Sequence, residues 1–105
     1  MKTVALQVDI TDWKTVKAMA YDTVRFKCKN AHATTFTVYA RDVCKLHSLP
    51  LLPIYLAQVG AALDEIYEET RENPETAAKL GCRGLEKGKN VHRKWWRFEK
   101  LNHKK

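Results

Sequence analysis

The sequence is short of the features that mark several common protein classes. Its 105 residues include only three cysteines, four glycines and three prolines, and no run of eighteen apolar residues. Cys28, Cys44 and Cys82 are odd in number, so a disulfide framework is not expected and three free thiols are. Without a long apolar run, no helix is expected to span a membrane. Asp9 interrupts the apolar residues of MKTVALQVDITDW, which alternate rather than cluster. A signal peptide is therefore not expected, and a reducing cytoplasm is the expected location. Gly81 and Gly84 lack the spacing of a phosphate-cradling loop. No internal repeat or low-complexity tract is found.

What is present suits one small domain over 1–105, with a basic, aromatic C-terminal segment at 85–105. Hydrophobic residues make up 45% of the chain, enough for a globular interior. The net charge is +7 and is unevenly spread. Residues 61–78 carry Asp64, Glu65, Glu68, Glu69, Glu72 and Glu75 against Arg71 alone. Residues 79–105 carry ten Lys/Arg against Glu86 and Glu99. A positive segment of that density attracts nucleic acid, an acidic membrane surface or an acidic protein patch.

Apolar spacing gives the expected elements. Val4, Leu6, Val8 and Ile10 alternate along residues 3–10, a half-buried strand. Thr11 or Asp12 caps a short helix to about Tyr21 through Trp13, Val16 and Ala20. Val24, Phe26 and Cys28, then Phe36, Val38 and Ala40, alternate on either side of NAHA and predict a hairpin. SLPLLP reads as a connector, and Pro53 opens a helix through Leu56, Val59, Leu63 and Ile66. Asn73-Pro74-Glu75 restarts a short helix.

The expected fold is α+β, a three- or four-stranded, mostly antiparallel sheet with helices on one face, in β-α-β-β-α order. A C-terminal strand would complete a ferredoxin-like arrangement. A C-terminal helix would instead place Val91, Trp95, Phe98 and Leu101 on one face. The helix fits better, because the Trp95-Trp96 pair breaks a period of two.

Two basic surfaces carry the expected function. On a C-terminal helix Trp96 stands among His92, His103, Lys100 and Arg93, suited to stacking on a base while cations hold phosphates, and the expected contact set there is Arg93, Lys94, Trp96, Arg97 and Lys100. On the hairpin, Arg25, Lys27 and Lys29 form a like-charge row beside Tyr39 and Arg41, although gatekeeping lysines on an exposed strand are a simpler account.

Three catalytic or metal constellations have plainer readings. Cys28, His32, Cys44 and His47 have a two-Cys, two-His composition, but their spacing departs from that of common zinc sites. Asp42, Cys44 and His47 crowd into six residues, unlike a catalytic set assembled from distant segments. Glu65, Glu68, Glu69 and Glu72 read as a solvated helix face. No enzyme, metal or cofactor is expected.

The expected function is that of a small, non-catalytic accessory protein binding nucleic acid. The alternative is an interaction module that docks through the same cations on an acidic protein surface. It would regulate or inhibit a larger, nucleic-acid-handling assembly.

Overall fold

A computed structural model describes residues 12–90 and 93–101. The expected strand at 3–10, with Val4, Leu6 and Val8, lies outside the described residues.

Asp12 caps the first helix, its carboxylate accepting from the Thr15 hydroxyl at 2.7 Å. The helix, α1 (Trp13–Asn30), runs far past Tyr21 and absorbs the first strand of the expected hairpin. Val16, Ala20, Val24 and Cys28 recur every fourth residue and are all buried on one stripe. Val24 and Cys28 satisfy a period of two as well as a spacing of four, so Phe26 alone separates the two readings. Phe26 is 51% exposed. No glycine or proline falls between Asp12 and Asn30 to stop the helix.

The next elements are β1 (Thr35–Tyr39) and α2 (Ala40–Leu46). Residues 47–52 form the expected irregular connector. Pro53 then opens α3 (Pro53–Glu72). Asn73 caps α4 (Pro74–Leu80) by accepting from the Glu75 and Thr76 amides at 2.9 and 3.3 Å. The chain closes with β2 (Cys82–Lys89) and β3 (Lys94–Lys100), an antiparallel hairpin in place of the expected C-terminal helix.

The fold is α+β, with four helices and a three-stranded antiparallel sheet ordered β1-β3-β2 among the described residues. From residue 12 on, the described order is α-β-α-α-α-β-β in place of the expected α-β-β-α; the first β of the expected β-α-β-β-α lies outside the described residues. Val38, Trp96 and Phe98 point to one face of the sheet and join Val16, Val24, Val59, Leu63 and Ile66 in a single core cluster. Each such side chain contributes roughly 1.5–3 kcal/mol by leaving water. Lys17 of α1 bridges Glu65 and Glu69 of α3, so part of the acidic block ties helices together.

Candidate nucleic-acid interface

Because side chains alternate along a strand, burying Val38, Trp96 and Phe98 sends their neighbours to the opposite face. The strand register sets that face out in three rows. Tyr39, Trp95 and Gly88 lie across the first; Thr37, Arg97 and Glu86 across the second; Thr35, Glu99 and Arg83 across the third. None of these residues is buried.

The rows differ in charge pairing. In the third, Arg83 meets Glu99 at 3.2 Å, and in the second Arg97 pairs with Glu86. The first row has no acid. The guanidinium carbons of Arg41 and Arg93 lie 5.6 and 5.3 Å from the Tyr39 ring centroid, and that of Arg97 lies 5.3 Å from the Trp95 ring. Such cation–π contacts hold both partners at low entropy cost and leave the guanidinium donors free. Arg41, Arg93, Lys94 and Lys89 have no ion pair among the described residues. Lys89 and Lys94 face each other across the hairpin, so like charges converge near its tip.

Gly88 makes the aromatic row possible. A Cβ there would sit 2.5 Å from Trp95 Cζ2, so the indole lies flat across the glycine.

The structure gathers part of the expected set and disperses the rest. Tyr39, Arg93 and Arg97 come together on the open face, joined by Arg41 and by Trp95, while Lys94 lies on the Trp96 side of β3. The two neighbouring tryptophans exchange roles. Trp96 is 1% exposed, with its indole N–H donating to Asp64 at 2.9 Å, and has no face to offer a base. Trp95 occupies the open face. Lys100 donates to the Ala31 carbonyl at 2.9 Å, closing the sheet against the end of α1. The like-charge strand row is absent because Arg25, Lys27 and Lys29 lie on α1. Lys27 is committed to the Asp42 carboxylate at 2.9 Å and the Thr37 carbonyl at 3.0 Å. Sequence reasoning missed Trp95, whose signal was the glycine at 88 opposite it.

The other constellations do not assemble. Cys28 contacts Cys82, not Cys44, and its thiol donates to the Gly81 carbonyl. Asp42 is occupied by Lys27 and the Tyr39 amide, while His47 approaches Asp22 at 3.5 Å. Among the described residues no group of three or more His, Cys, Asp or Glu side chains converges on a metal position.

Burial raises the Cys44 thiol above its ordinary value. Burial, reinforced by neighbouring Cys28, raises Cys82 much further. A thiolate-selective reagent at pH 8 should therefore label neither Cys44 nor Cys82 until denaturant is added. Mass spectrometry of the alkylated protein checks this, and rapid native labelling of Cys82 would contradict its burial.

The chain matches no protein-family model, no curated protein and no solved structure.

Proposed function

We propose that this domain is a non-catalytic nucleic-acid-binding protein whose contact surface is the open face of its sheet. The observation that carries the proposal is Tyr39 flanked by Arg41 and Arg93, beside Trp95 and Arg97, on a face where Arg41 and Arg93 have no ion pair among the described residues; Lys94 stands at its edge, on the Trp96 side of β3. Guanidinium donors suit phosphate oxygens, and guanidinium and aromatic planes both stack on bases.

Helix α3 follows α2 after a short connector, as a recognition helix does in a helix-turn-helix pair. Its solvent side argues against that use. Ile54, Ala57 and Ala61 are exposed along its first half and Glu65, Glu68 and Glu72 along its second. Such a surface repels phosphate, which favours the sheet face.

Replacing Arg41, Arg93 and Lys94 together with glutamine should weaken binding to single-stranded oligonucleotides. It should also flatten the log–log salt dependence by about 0.7 for each phosphate left without its cation. Thermal stability should change little, since these three side chains form no ion pair in the fold. Wild-type protein without salt-dependent binding to DNA or RNA at moderate ionic strength would overturn the proposal.

A second reading, docking on an acidic protein, is favoured by Leu51, Leu52 and Ile54, which are 51–58% exposed near the start of α3. In that case Leu52→Ser/Ile54→Ser should abolish partner capture that survives nuclease, while leaving oligonucleotide affinity unchanged.

A further inference from the structure

We infer that the cleft beside the sheet face is a base-reading subsite, which takes a single unstacked guanine from a bound strand. The inference rests on the nucleic-acid reading and extends it. The cleft holds about 640 Å³ between β1, the loop before β3, and the first half of α3. Tyr39, Arg41, Arg93 and Lys94 line it, and the first three also belong to the sheet-face cluster, so together they form a cationic ridge between cleft and sheet face. Its apolar wall includes Leu56, Ala57, Gly60 and the edge of Trp96. At Gly60 a Cβ would be 3.6 Å from Trp96 Cη2, an ordinary contact, so the buried indole packs on α3 there and the slot lies outside it, beside the exposed Ala57.

The chemistry of the lining is asymmetric. Three cations stand on the ridge, while Asp64 stands on α3. A phosphate is attracted to the first and repelled by the second, so Asp64 suits the other end of a nucleotide, a base edge that donates hydrogen bonds. The carboxylate is held in place, its Oδ1 accepting from Trp96 Nε1 at 2.9 Å and from Lys87 at 3.2 Å. Its Oδ2 has no hydrogen bond among the described residues. Lys87 also lies 3.5 Å from Glu68, so its ammonium has a second anion to hold when it swings away from Asp64. Oδ2, and Oδ1 beside its indole bond, can then accept from a base edge in the cleft that Asp64 lines. Among the bases, guanine presents two adjacent donors, N1–H and N2–H, that match a carboxylate. Base recognition in single strands proceeds in this way, through a splayed base read at its Watson–Crick edge.

The test compares a twelve-residue thymidine oligonucleotide with the same strand carrying one central guanine. Wild type should prefer the guanine strand by roughly 5- to 100-fold, the discrimination typical of one bidentate pair. Asp64→Asn, which offers only one acceptor oxygen, should abolish the preference. Ala57→Leu, which fills the slot from an exposed helix position, should abolish it too, and does so without touching the partner of Trp96. Equal wild-type affinity for the two strands would overturn this inference and leave the sheet-face reading standing. Preference retained in both variants would likewise overturn it. Binding to neither strand would overturn both readings.

Discussion

Trp96→Ala should destabilise the domain by about 3–5 kcal/mol, the usual range for deleting a large buried aromatic. A domain of this kind has roughly 5–15 kcal/mol in all, so the loss would approach unfolding. Trp96 sits at the centre of the sheet, paired with Val38 on one side and Lys87 on the other, and reaches α3 at Gly60 and Asp64. Removing it opens a cavity and leaves Asp64 without its indole donor. Trp96→Phe keeps most of the ring and loses the N–H, so its cost should fall between alanine and wild type. Trp95→Ala should cost less than about 1 kcal/mol, the scale of a cross-strand pair on an open face. Urea midpoints for the three variants check the order. If Trp95→Ala proved the more damaging, the register of β3 would have to slip by one residue, exchanging every side chain between faces.

Gly84→Ala should be nearly as severe, although it adds only one methyl group. The new Cβ would lie 2.6 Å from Tyr67 Cδ1, and neither side can yield. Tyr67 is buried on α3 and sits edge-on to Phe98, with ring centroids 6.2 Å apart. Gly84 is fixed by its amide, which donates to the Thr70 hydroxyl at 2.9 Å, and by its carbonyl, which accepts from Arg71 at 3.3 Å. Overpacking of this kind typically costs about 1–3 kcal/mol, and the rigid surroundings place Gly84→Ala at the upper end. Tyr67→Leu/Gly84→Ala should cost less than the sum of its single changes, because the smaller side chain makes room. Additive costs in that cycle would contradict the close approach. Gly88→Ala offers the contrast. It meets Trp95 on the open face, where the indole can swing into solvent at little cost to the fold.

These two sites show where the sequence is legible. Caps and helix starts are local chemistry, so Asp12, Pro53 and Asn73 mark their helices correctly. Strand β1 is also legible, because Phe36 and Val38 alternate with Thr35, Thr37 and Tyr39 as the faces require. Periodicity fails where one pattern satisfies two periods. Val24 and Cys28 fit a strand and a helix equally, and the continuous i, i+4 stripe from Val16 decides for the helix. The C-terminal segment misleads for a different reason. Trp95-Trp96 resembles broken alternation if both residues are taken as core, whereas an open sheet face can carry an aromatic over a glycine. Gly84 and Gly88 argue for strand, since glycine in a helix interior costs about 1 kcal/mol. The cations at 93 and 97 are visible from composition, but their gathering over Tyr39 and Trp95 depends on β1 pairing with β3, strands almost sixty residues apart in the chain.

The most direct test of the sheet face as the contact surface is the affinity of Trp95→Ala for a single-stranded oligonucleotide, measured beside wild type at the same salt. If the indole stacks on a base, the variant should lose about 1–3 kcal/mol of binding while keeping its folding stability and most of its salt slope. Arg25→Gln/Lys29→Gln, on the exposed side of α1, should bind nearly as wild type does. Full affinity in Trp95→Ala, together with weakened binding in Arg25→Gln/Lys29→Gln, would move the interface to α1 and contradict the account.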